Sequence, residues 1–136
     1  MGVRVKIVGL VLPWETHFLP KVISSFISCK AYLTDKDAGN IKFSLAYSNV
    51  PDQIDWENAL ATPEYTENVF TECCELLSCY YDVDYVVDDT IGGCVGHRRR
   101  EFEKDDYDFC VTCDCDMNFP ANLLKVYAEL IKSANP

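Results

Sequence analysis

The chain has 136 residues, enough for one domain with a real core, and 49% of them are apolar, which excludes an intrinsically disordered chain. A formal net charge of −10, with Arg98-Arg99-Arg100 as the one basic cluster, argues against nucleic acid as the main partner, because phosphate backbones need grouped Lys and Arg. Eight cysteines follow an N-terminus without a signal-peptide pattern, and no apolar run approaches the ~20 residues that span a bilayer, so a cytoplasmic protein with reduced thiols is expected.

Taken in order, residues 3–12 read as a first strand. Val3, Val5 and Ile7 alternate with Arg4 and Lys6, and the run then becomes wholly apolar, as in a strand covered on both faces. Pro13-Trp14-Glu15-Thr16 is the loop after it, with Thr16 as the expected N-cap of a helix carrying Pro20 in its first turn. Leu19, Val22, Ile23, Phe26 and Ile27 form the apolar stripe of that helix. Residues 35–40 read as a turn-rich loop, and Ile41 to Tyr47 alternate as a second strand. A short helix around Trp56 is expected next.

Thr62-Pro63-Glu64 is a helix start of cap, proline and acid. Its buried stripe is expected to be Val69, Cys73, Leu76, Leu77 and Tyr80, with Asp82 to Asp84 ending the unit. Tyr85-Val86-Val87 reads as a short third strand and Asp88 to Gly93 as a loop. Gly96 to Lys104 then reads as a polar helix with Phe102 on its inner side. Asp108 to Cys113 is the fourth strand, and a last helix opens at Pro120 with Leu123, Leu124, Tyr127, Leu130 and Ile131 as its apolar face. This alternation predicts one α/β domain over residues 1–136, a mostly parallel, Rossmann-like sheet with helices on both faces. In such open sheets ligands bind beyond the carboxyl ends of the strands, at the switch point.

The chemistry concentrates where the fourth strand ends. Residues i and i+2 of a strand share a side, so Asp114 and Asp116 can aim two carboxylates at one point. Paired hard oxygen ligands suit Mg2+ or Mn2+, and a cation held there could grip a diphosphate. An aspartate at a strand–helix join also serves simply as a cap. The arginines equally fit a solvated helix face paired with Glu101, Glu103 and Asp105, and His17 and His97 fit surface or capping roles. Cys110, Cys113 and Cys115, with Cys94 and His97, raise a zinc or redox alternative. A strand sends Cys110 to one face and Cys113 and Cys115 to the other, which suits tetrahedral zinc poorly.

An alternating α/β half whose fourth strand ends in Asp-x-Asp resembles the donor-binding half of GT-A type, family 2-like glycosyltransferases. The opening strand and its loop (Val8 to Pro13), the basic stretch Gly96 to Arg100, and Phe109 to Asp116 followed by Phe119-Pro120 carry the resemblance. It implies a nucleoside diphosphate sugar as ligand and transfer of the sugar to a hydroxyl on a glycan or lipid. It implies Asp116 as the main ligand to Mn2+ or Mg2+, with Asp114 on the ribose or the metal's water shell. Pro13 and Glu15 would then lie beside the nucleotide, and Arg98, Arg99 and Arg100 near the phosphates. The family's second strand usually ends in acids; here Tyr47-Ser48-Asn49 stands, with Asp52 the nearest acid. The family's acceptor half and catalytic base would follow Pro120, so this stretch is expected to hold the donor half alone. A partner chain or oligomer completing the site, or a non-catalytic nucleotide-binding or interaction module, is the alternative expectation.

Overall fold

A computed structural model describes residues 4–48, 62–88, 93–114, 123–126 and 129; of Trp14, Asp88, Gly93, Cys94, Val95 and Asp114 it describes the backbone only. The elements are β1 (Val5–Val11), a 3-10 turn (Pro13–Glu15), α1 (Leu19–Cys29), a second 3-10 turn (Lys30–Tyr32), α2 (Asp35–Gly39), β2 (Ile41–Ser48), α3 (Pro63–Ser78), β3 (Asp82–Asp88), α4 (Gly93–Glu103) and β4 (Phe109–Asp114). Residues 123–126 are helical. The four strands form one all-parallel sheet in the order β3-β2-β1-β4. This is the expected α/β, Rossmann-like architecture.

The two sheet faces differ in chemistry. Ile41, Phe43, Leu45 and Tyr47 of β2 join Val5, Ile7 and Val11 of β1 in the main core. α1 and α3 cover that side: the Phe43 ring meets Phe26 of α1 at 4.8 Å, and Tyr47 meets Phe70 of α3 at 5.6 Å. The opposite side carries Lys6, Val8, Leu10, Ser44, Ala46 and Ser48, all buried, and it receives α4. The alternation in β2 therefore marks two covered faces of different polarity, and its second face is not left to solvent.

Several expectations are corrected. α1 begins at Leu19 with Phe18 in the cap position and no side-chain cap; the Thr16 hydroxyl instead donates to the Pro13 carbonyl at 2.8 Å. Residues 35–39 are helical, because the Thr34 hydroxyl caps the amide of Asp37. Thr62 caps α3 as expected, but the buried stripe is Thr66, Phe70, Cys73, Cys74 and Leu77, while Leu76 and Tyr80 are exposed. The helix is rotated so that Phe70, its largest apolar side chain, lies between Tyr47 and Tyr85. β3 begins at Asp82, since an edge strand can turn acids outward; Asp84 pairs with Lys42 at 2.6 Å. In α4 the inner residues are His97 and Glu101, and Phe102 is half exposed. The helix around Trp56 lies outside the described residues.

Candidate functional site

Chain order and strand order together locate the switch point. β2 and β3 lie to one side of β1 and β4 to the other, so the strand order reverses between β1 and β4. The register pairs Leu10 with Asp114, which sets the carboxyl end of β4 beside that of β1. Ligands of open parallel sheets occupy this crevice. Asp114 is thus at the expected edge in backbone position. Asp116 and Asp52 lie outside the described residues.

The loop leaving β1 is a self-closed turn. Leu12 is extended (φ −98°, ψ 155°) and Pro13 opens the 3-10 turn with its ring already near the required φ. The Leu12 amide donates to Glu15 Oε1 at 3.0 Å, and the Glu15 amide donates back to the Leu12 carbonyl at 2.9 Å. Pro13 and Thr16 are buried and Glu15 is half-buried. Pro13 and Glu15 therefore form a stiff shoulder on the crevice, in which one Glu15 oxygen serves the turn itself.

Arg98, Arg99 and Arg100 lie in the second turn of α4, whose first residue follows the carboxyl end of β3. Arg98 is half-buried, whereas Arg99 and Arg100 are exposed. Arg99 Nε donates to Glu103 Oε1 at 3.0 Å, an i,i+4 pair on the solvated face. Arg99 thus follows the surface reading of this stretch.

The structure also brings together a polar cluster that the sequence reading did not assemble. Lys6 is 1% exposed, yet its ammonium lies 2.6 Å from Asp106 Oδ1, 3.3 Å from Glu101 Oε2 and 3.1 Å from the Glu101 carbonyl. Ser44 donates to Glu101 Oε1, and Lys104 lies 2.8 Å from Glu101 Oε2. Burial alone would raise the Glu101 carboxyl. Hydrogen bonds from Lys104 and Ser44 and the charge of Lys6 outweigh it and hold the group at about 2. Burial would lower Lys6, but Asp106 and Glu101 leave it above its ordinary value. His97 is buried with Nε2 3.2 Å from the Ser44 carbonyl, so that nitrogen carries the proton. Burial pushes its pKa down against the pull of Ser44 and Glu101, which keeps the ring neutral at pH 7. The signal available in sequence was one lysine and one serine inside apolar strands, facing a His97/Glu101 pair at helical i,i+4 spacing.

Among the described residues the cysteines do not assemble a site; Cys115 and the side chain of Cys94 lie outside them. The register sets Cys110 opposite Lys6 and Cys113 opposite Gly9, on opposite faces of β4. Among the described residues no three His, Cys, Asp or Glu side chains stand close enough to hold a metal ion. No helix among them is long and apolar enough to cross a membrane.

One open depression of about 400 Å³ lies at the other edge of the sheet, lined by Lys30, Asp35, Gly39, Tyr80, Tyr81 and Asp82 among others. It adjoins the amino ends of β2 and β3. The switch-point edge is the stronger candidate, because strand ends, the Pro13 turn and an acid meet there. No family model matches the chain, and no curated protein or solved structure matches it.

Proposed function

We propose that this chain is a nucleotide-sugar-binding domain of glycosyltransferase type, holding a nucleoside diphosphate sugar at the β1/β4 edge through Mn2+ or Mg2+ on Asp114 and Asp116. The observation that supports it most is the sheet order β3-β2-β1-β4 with Leu10 opposite Asp114, which brings the backbone of Asp114, the first acid of the Asp-x-Asp, to the carboxyl end of β4 beside β1. The donor set fits the ion: two carboxylates at i and i+2 supply hard oxygens and no soft ligand. When bound, the cation would neutralise the diphosphate and so stabilise the departing nucleotide. The turn at Pro13 to Glu15 walls the nucleotide on the β1 side, and Arg98 is the half-buried member of the basic stretch that would lie near the phosphates.

A second reading has its own support. Three titratable groups of the described chain that could otherwise act as a base are engaged structurally: Glu15 on the Leu12 amide, His97 on the Ser44 carbonyl, Glu101 on Lys6, Ser44 and Lys104. On this reading the domain binds the donor, and a partner chain or further segment supplies the base for transfer to a hydroxyl acceptor. Calorimetric titration with uridine and guanosine diphosphates in the presence of Mn2+ tests the shared claim. Binding that requires Mn2+ and is lost in Asp116→Ala supports it; no binding by the wild type, or unchanged binding in the variant, overturns it. Release of nucleotide from a sugar donor in the presence of simple hydroxyl acceptors separates the enzyme from the binding module.

A further inference from the structure

The Lys6 cluster lies at the amino end of the sheet, while the proposed cation site lies at the carboxyl end of the same strands. Leu10, the register partner of Asp114, lies four residues beyond Lys6 in β1, a distance of about 13 Å along the strand. The cluster joins three elements and the connection that leads into β4. Lys6 belongs to β1, Ser44 to β2, Glu101 to α4, and Asp106 to the connection between α4 and β4.

That connection is tightly specified. Asp105 adopts φ 48°, the left-handed region, and its amide donates to the Phe102 carbonyl at 3.2 Å, which ends α4 and reverses the chain. Aspartate tolerates this conformation better than most residues with a β-carbon. The reversal delivers Asp106 to Lys6. Arg4 completes the tie: its amide donates to Asp108 Oδ2 at 2.8 Å, its guanidinium bonds the Asp106 carbonyl, and its carbonyl accepts from the amides of Asp108 and Phe109. The Arg4 guanidinium also stacks 4.2 Å from the centre of the Tyr107 ring.

Register matters here for a specific reason. β4 is an edge strand of the described sheet, so β1 alone holds it. A slip of one residue would move every side chain of β4 to the other face and carry Asp114 away from its place beside Leu10. The strand itself specifies register weakly. Val111 and Cys113 pack half-buried against the margin of the core, but Cys110 on the other face is half-buried too and Phe109 and Thr112 are exposed, so apolar burial specifies the register only in part.

We propose that Lys6 is a positioning residue: by holding Asp106 and Glu101 together it locks the β1/β4 register and docks α4, and so sets Asp114 at the switch point from the far end of the strand. The role of Asp114 rests on the function proposed above; the register lock does not.

The test compares the wild type with Lys6→Met, Lys6→Arg and Leu77→Ala, the last a core truncation in α3 remote from the cluster. Hydrogen exchange of the backbone amides is read first. In Lys6→Met the β4 amides are expected to exchange about tenfold faster or more, relative to those of β2, whereas Leu77→Ala accelerates both strands alike. Equal acceleration in Lys6→Met, or none, overturns the register lock, and this readout decides it whether or not any metal binds. Mn2+ alone is then titrated, with free ion followed by electron paramagnetic resonance. Lys6→Met is expected to weaken Mn2+ about tenfold, as loss of a supporting contact behind a ligand does, while Lys6→Arg restores it and Leu77→Ala leaves it within about twofold. If β4 loosens in Lys6→Met but Mn2+ affinity is unchanged, the positioning claim is overturned. If the wild type itself takes up no Mn2+, the functional reading falls while the register lock stands on its exchange result.

Discussion

Replacing Glu101 by Gln probes the buried cluster most sharply, because the amide keeps the shape of the protonated acid and removes only its charge. The carboxyl lies at about 2 in the folded chain against an ordinary 4.5. The depressed value means that the charged form stabilises the fold, in full above the unfolded pKa, and that this contribution is lost as pH falls toward the folded value. A difference of about 2.5 units corresponds to about 3 kcal/mol at pH 7. The same linkage leaves somewhat less than half of this at pH 3. The side chain is 7% exposed, so solvent screening takes little from these figures. Urea unfolding followed by far-UV circular dichroism measures the effect. With a slope of about 1.5 kcal/mol per molar, the midpoint of Glu101→Gln should lie about 2 M below the wild type at pH 7, and somewhat less than half that gap should remain at pH 3. A variant within about 0.5 kcal/mol of the wild type at pH 7, or a gap of equal size at both pH values, would refute the reasoning.

Further tests address the core, a cap and the thiols. Phe43→Ala removes a ring held between Phe26 at 4.8 Å and Tyr81 at 5.1 Å, and should cost about 3–5 kcal/mol in the same unfolding assay. Thr62→Ala deletes the acceptor of the Tyr65 amide at 3.1 Å and should cost about 1 kcal/mol. Among the described cysteines, iodoacetamide at pH 8 should label the exposed Cys79 first. Burial raises Cys73 to about 11 and pushes Cys29 and Cys74 up as well, so peptide mass mapping should find those three modified only in denaturant.

The fold was readable wherever the side chains report a single environment. The alternation of Ile41 to Tyr47, the stripe from Leu19 to Phe26 and the start at Thr62-Pro63 each point one way, and each stands in the structure. Errors arose where a face is polar yet buried. Phe102 was expected inward on α4 because helices normally turn apolar residues to a sheet. Here Lys6 and Ser44 make that sheet face polar, so His97 and Glu101 turn in. Asp82 and Asp84 read as the end of a unit because acids suit turns, but an exposed edge strand accommodates them equally well. The place of Asp114 was legible, since an apolar strand followed by acids announces the strand end. The service of Glu15 to its own turn was not, because it depends on the path that the chain takes after Pro13.

The most direct measurement of the central claim is paramagnetic broadening of backbone amide resonances by Mn2+ with uridine diphosphate. Binding at the β1/β4 edge predicts selective broadening of Leu10 to Leu12 and of Cys113 and Asp114. It also predicts that Gly39, Tyr81 and Asp82, beside the depression at the opposite edge, stay sharp, and that the effect vanishes in Asp114→Ala combined with Asp116→Ala. Broadening centred on Gly39 and Asp82, or broadening that survives in the doubly substituted chain, would contradict it.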